Sequence, residues 1–127
     1  MALTDYVTGY QHVGIPTKDI EETRKFYEGL GFDMIYETEN NGGKVRFFSC
    51  GDILIETYEK ADAAGVRGAI DHIALAVSNI EAVAREAEKQ GFKVVEGPTF
   101  LPFWENGVKY ICIEGPNKEI VEFLQKF

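Results

Sequence analysis

Apolar and small residues alternate from Tyr10 to Thr17, which predicts a strand. From Ile20 the period lengthens, and Ile20, Thr23, Phe26, Tyr27 and Leu30 fall on one face of a helix. Asp19-Ile-Glu-Glu22 supplies an N-cap with a carboxylate three residues on, and Gly31 suits the left-handed position past the last turn. Three strands should follow, over Phe32–Thr38, Val45–Cys50 and Ile53–Tyr58, with turns at Asn40-Asn-Gly-Gly43 and Gly51-Asp52.

The same order then returns. His72 to Val77 alternates, Ser78-Asn-Ile-Glu81 forms a capping box, and Ile80, Val83, Ala84 and Ala87 make the apolar stripe of a helix that stops at Gly91. Strands are expected at Lys93–Glu96, Lys109–Ile113 and Glu119–Gln125, with a long loop from Pro98 to Gly107 and a turn at Gly115-Pro-Asn-Lys118. Without a gap, His12 aligns with His72, Ile20 with Ile80, Glu21 with Glu81 and Gly31-Phe32 with Gly91-Phe92, an offset of 60 (72 minus 12). Ile53-Leu-Ile-Glu56 matches Glu119-Ile-Val-Glu122 at an offset of 66 (122 minus 56), so six residues are inserted in the second copy.

The chain is therefore expected to be α+β, with two tandem βαβββ modules over about residues 8–59 and 70–127 forming one domain. Glu59 to Ala69 is the linker. Each helix covers one face of a short curved sheet, and the other face stays free as a cleft. Alternation places His72 with Ala74 and Ala76, and His12 with Gly14 and Pro16, on that free face. Small residues around two imidazoles leave a hollow twice.

A length of 127 residues suits one compact domain. The net charge of −8 disfavours nucleic acid and anionic membrane, both of which need clustered Lys and Arg. A small molecule or a second copy of the chain is the expected partner. Cys50 and Cys112 lie in apolar runs and read as buried thiols of a reducing compartment rather than a disulfide. No basic, apolar leader opens the chain and no run is long enough to cross a bilayer, so a cytoplasmic location is expected.

His12, Glu56, His72 and Glu122 occupy equivalent strand positions of the two copies, and pseudo-twofold symmetry can gather them on one ion. Two neutral imidazoles and two carboxylates suit one divalent ion of Ni, Co, Zn, Mn or Fe, with two octahedral positions left open for adjacent substrate oxygens. Such an ion acts as a Lewis acid that stabilises an enediolate, and Glu56 or Glu122 moves the proton. A lone strand histidine is more often a hydrogen-bonded surface residue, and a lone strand glutamate an edge charge. The only two histidines of the chain, at equivalent points of a repeat, make a stronger case together.

The runs His12-Val-Gly-Ile, Asp19-Ile, Phe26-Tyr27 and Leu30-Gly-Phe32, with His72-Ile-Ala-Leu-Ala-Val and Gly115-Pro116 through Val121-Glu122, resemble the vicinal oxygen chelate superfamily. That superfamily includes glyoxalase I, methylmalonyl-CoA epimerase, extradiol dioxygenases and the bleomycin and fosfomycin resistance proteins. The resemblance implies paired βαβββ modules, a metal in the cleft and a homodimer. The full His, Glu, His, Glu set is most similar to glyoxalase I, a lyase. That enzyme commonly has an arginine four residues after the first histidine and an asparagine four after the first glutamate, both serving glutathione. Pro16 and Lys60 stand there instead, so the resemblance does not carry over a glutathione site.

The insertion falls in Gly97 to Gly107, where Phe100, Phe103 and Trp104 are expected either to roof a substrate pocket or to form a dimer interface. Glu21-Glu22 and Glu37 with Glu39 read as solvated surface, and the sequence leaves open which face Arg46 and Lys109 take. The expected function is a metal-dependent lyase or isomerase acting on adjacent oxygens. Its rivals are an epimerase of the same fold and a binding protein that sequesters a drug or metabolite.

Overall fold

A computed structural model describes residues 2–127, which divide into two compact units, one ending at Ala63 and the other running from Ala64 to Phe127. In the first unit a short 3-10 helix, Leu3–Tyr6, precedes β1 (Val13–Thr17), α1 (Ile20–Leu30), β2 (Asp33–Asn40), β3 (Gly43–Cys50) and β4 (Ile53–Glu59). The sheet order is β1-β4-β3-β2, with β1 parallel to β4 and the other pairs antiparallel. The second unit repeats this as β5 (His72–Ala76), α2 (Ile80–Gln90), β6 (Lys93–Leu101), β7 (Val108–Glu114) and β8 (Ile120–Lys126), in the order β5-β8-β7-β6. The two tandem βαβββ modules of the α+β expectation are thus present.

Local chemistry sets the helix ends. Asp19 accepts the Glu22 N–H at 3.0 Å, and Asn79 accepts the Ala82 N–H at 3.1 Å. The second cap is therefore Asn79 rather than Ser78, which agrees with the repeat because Asn79 aligns with Asp19. Gly31 (φ 102°) and Gly91 (φ 75°) close the helices in left-handed conformations, and the next residues donate back to Tyr27 and Ala87. The hairpin from β2 to β3 turns on Asn41 (φ 50°) and Gly42 (φ 80°), a two-residue turn that needs two left-handed residues.

Each helix packs on one face of its own sheet. In the first unit Ile15, Phe48 and Ile55 are buried with Ile20 and Tyr27 of α1. Tyr27 and Phe48 hold their rings 5.9 Å apart. Each such fully buried aromatic contributes roughly 1.5–3 kcal/mol. Thr17, Thr23 and Thr57 are also buried there, and their hydroxyls are satisfied within the layer: Thr23 donates to Thr17 at 2.9 Å and Thr57 to the Arg46 carbonyl at 3.0 Å. In the second unit Ile111, Ile113 and Val121 are buried with Ile80 and Ala87 of α2.

The repeat extends to its irregularities. β2 bulges between Met34 and Tyr36, and β6 between Val94 and Glu96, at the same offset of 60. The inserted residues are spread rather than confined to one loop. Ladder partners give an offset of 60 for Tyr36 and Glu96, 61 for Thr38 and Thr99, 65 for Val45 and Tyr110, and 66 for Tyr58 and Leu124. One residue is added in the second irregularity of β6, four between β6 and β7, and one between β7 and β8. Strand β6 accordingly runs on to Leu101 where a loop from Pro98 was expected. Cys112 is buried as expected, but Cys50 is exposed, because it ends β3 where the chain turns at Gly51.

Candidate metal centre

The parallel ladders place each histidine beside its glutamate. In the first unit Gly14 pairs with Glu56, so Glu56 lies across from the residue two places after His12 and on the same face. In the second, Ala74 pairs with Glu122, two places after His72. His12 Nε2 is 3.7 Å from Glu56 Oε1, and His72 Nε2 is 3.5 Å from Glu122 Oε2. The carboxylates are the more sheltered members, with Glu122 at 13 % and Glu56 at 26 % side-chain exposure.

The other nitrogen of each ring is held by the residue just before it. His12 Nδ1–H donates to Gln11 Oε1, and His72 Nδ1–H donates to Asp71 Oδ2 at 3.0 Å. Neither acceptor can itself donate, so both fix the proton on Nδ1 and leave the Nε2 lone pair facing the carboxylate. This is the arrangement that orients a metal-ligating imidazole. The His72 bond, with Arg67 adding to it, holds the Asp71 carboxyl below its usual range. Two donors each about 2.1 Å from a shared ion stand no more than roughly 4.2 Å apart, a limit that both pairs meet. Among the described residues no group of three or more His, Cys, Asp or Glu side chains is placed to hold a metal ion.

Sequence reasoning passed over Gln11 and Asp71, although both precede a histidine at the same offset of 60. It also passed over a row across the free face of the second sheet. Cys112 pairs with Glu96 on one side and Glu122 on the other. Tyr110, nearly buried on that face, donates its hydroxyl to Glu96, and this bond raises the phenol above its usual range. Burial, with Glu122 and Glu96 adding to it, pushes the Cys112 thiol up to about 11. The matching row in the first unit is Tyr36, Phe47 and Glu56, with Phe47 5.9 Å from both the Tyr36 and His12 rings.

Phe100, Lys109 and Arg46 fall on the helix-covered sides. Phe100 pairs with Lys109, whose ammonium bonds Glu81 of α2, so both lie on the helix-covered side of the second sheet, opposite His72 and Glu122. Phe100 packs on Phe127, while Phe103 and Trp104 contact each other in the turn between β6 and β7, with Lys126 over the Trp104 ring. All three aromatics are about half exposed or more. Arg46 is also on a helix side, buried between Glu21 and Glu37, which stay exposed but are paired rather than free. No helix among the described residues is long and apolar enough to cross a membrane.

The chain is 34 % identical over 125 residues to the uncharacterized protein YwbC of Bacillus subtilis (strain 168), covering 91 % of this chain and 95 % of that one. Among solved structures it is similar to the fosfomycin resistance protein FosX of Listeria monocytogenes in complex with Mn(II) and sulfate. The TM-score is 0.74 at 16 % identity, over 95 % of this chain and 94 % of that one. It is likewise similar to TnmS3, an antibiotic binding protein from Streptomyces sp. CB03234, with a TM-score of 0.78 at 19 % identity over 96 % and 98 % of the two chains. These likenesses show the fold. The model of the Glyoxalase/Bleomycin resistance protein/Dioxygenase superfamily matches residues 9–123, and the chain belongs to that superfamily.

Proposed function

We propose that this protein is a metal-dependent lyase or isomerase of glyoxalase type, in which His12, Glu56, His72 and Glu122 together hold one divalent ion. The observation that carries this reading is the doubling of one device: an imidazole with Nδ1 tied back and Nε2 facing a sheltered carboxylate, at equivalent registers of two sheets. A structural role needs no such duplication. FosX, similar to this chain in fold, is seen in complex with Mn(II), which supports the reading.

When bound, the ion supplies Lewis acidity toward two neighbouring substrate oxygens. The chain's own part is to fix both imidazoles through Gln11 and Asp71 and to move a proton with Glu56 or Glu122. Phe103 and Trp104 serve as the apolar cover of the substrate, and a homodimer is the proposed assembly. The substrate class is a small compound with vicinal oxygens, such as the hemithioacetal of an α-ketoaldehyde.

The test is turnover of a panel of thiol hemithioacetals by protein loaded in turn with Ni, Co, Zn, Mn and Fe. Turnover with at least one metal, abolished by chelator, supports the reading. Proton exchange confined to 2-substituted acyl thioesters would make it an epimerase instead. Tight binding of an aromatic compound, indifferent to chelator and without turnover, would make it a sequestering protein.

A further inference from the structure

The two imidazoles are held at Nδ1 by unlike partners. His12 Nδ1 meets the side-chain oxygen of an amide, Gln11 Oε1. His72 Nδ1 meets a carboxylate, Asp71 Oδ2, at 3.0 Å, while the other oxygen, Asp71 Oδ1, stands 3.4 Å from Arg67 Nε. Arg67 thus takes the oxygen that the ring does not use and offsets the added charge. The residue that aligns with Arg67 in the first unit is Val7, at the same offset of 60 (67 minus 7), so no cation stands there.

As placed, each oxygen keeps the ring proton on Nδ1. An amide, however, presents either its oxygen or its NH2 by a half-turn about its last bond, whereas a carboxylate only accepts. For His12 that half-turn opens a complete alternative. The Gln11 NH2 donates to Nδ1, the ring proton sits on Nε2, and Nε2–H faces Glu56 Oε1, 3.7 Å away, where a small approach makes a charge-assisted bond. In that state Nε2 has no lone pair for an ion. For neutral His72 the same exchange would set the Nδ1 lone pair against the Asp71 carboxylate, two acceptors with no proton between them. Neutral His72 therefore keeps its proton on Nδ1 and its Nε2 open, 3.5 Å from Glu122 Oε2.

We propose that Asp71 is a positioning residue that holds His72–Glu122 ready as the anchoring half of the metal site, and that Gln11 makes His12–Glu56 a half that closes on itself without the ion and opens when it arrives. This role rests on the proposed metal reading, but its first observable is where the ring protons sit in the metal-free protein.

His12 and His72 are the only histidines of the chain, so long-range proton–nitrogen correlation spectra of isotope-labelled protein, assigned with His12→Ala, report each ring separately. The spectra are recorded at about pH 9, where an ordinary imidazole is neutral. Without metal, His72 is expected in the Nδ1–H form by about fivefold or more, a figure reduced for the exposure of Asp71. His12 is expected to hold both forms within about threefold of each other, because one neutral hydrogen bond replaces another. Saturating Zn(II) should move His12 wholly to the Nδ1–H form. Asp71→Asn should give His72 the mixed pattern and weaken Zn(II) about tenfold in competition with a chelating indicator, with the thermal midpoint unchanged. Gln11→Glu should give His12 the pattern of His72 and tighten Zn(II). Matching patterns for the two rings of metal-free wild type, whichever form they share, would overturn the proposal, as would wild-type Zn(II) affinity in Asp71→Asn. Either result with Zn(II) bound by wild type leaves the metal reading standing. A wild type that binds no Zn(II) would overturn both.

Discussion

Gly14 stands directly across the parallel ladder from Glu56, and a methyl group built on it would come within 3.3 Å of Glu56 Oε1 and 3.7 Å of the Tyr58 ring. The missing side chain is what lets the Glu56 carboxylate lie over β1 toward His12. Ala74 holds the matching place beside Glu122, so one carbon is tolerable there. Gly14→Ala should therefore fold and bind metal nearly as well as wild type. Gly14→Val should fold with a stability loss of about 1–2 kcal/mol but lose at least tenfold in metal affinity. Metal titration with thermal unfolding of the same samples separates the two effects.

The cysteines should differ sharply in reactivity. Thiolate is the reacting form, so the buried Cys112, pushed up to about 11, is nearly inert near pH 8, whereas Cys50 is exposed at a strand end. A disulfide-exchange reagent should titrate one thiol per chain promptly and the second only after denaturation. Cys50→Ser should remove the prompt phase.

Arg46 links β3 to β2 and α1, with its side chain 5 % exposed, its Nη2 2.8 Å from Glu21 and its Nε on Glu37. Arg46→Ala should destabilise the protein by about 2–3 kcal/mol in urea unfolding, through lost packing and two released carboxylates. The Arg46 bond holds the Glu21 carboxyl below its usual range. A depressed folded-state pKa gives stability that is present above the unfolded value and lost as pH falls through the folded one. Stability should thus decline below about pH 4.5, the ordinary value of that carboxyl. Glu21→Gln should be less stable near neutrality and should decline less steeply.

Much of this was legible because helices and hairpins rest on local signals. Asp19, Gly31 and Asn41-Gly42 act within a few residues of themselves, and the duplicated histidines and glutamates announced equivalent positions. Less legible were features decided by register. The β6 extension depends on pairing with β7 across inserted residues, which placed Phe100 on the helix side. The burial of Arg46 depends on a carboxylate from α1 meeting one from β2, a contact no linear pattern specifies. Cys50 read as buried from its apolar neighbours, but its position at the last residue of β3 exposed it.

The central claim is that one ion is shared by the two His–Glu pairs. The direct measurement is metal content per chain of wild type, His12→Ala and His72→Ala, purified alike and dialysed against a slight excess of Mn(II) or Ni(II). One ion per chain in wild type, falling below about one-tenth in both variants, is the expected result. Wild-type occupancy retained in either variant, or no retained metal in any of the three, would contradict it.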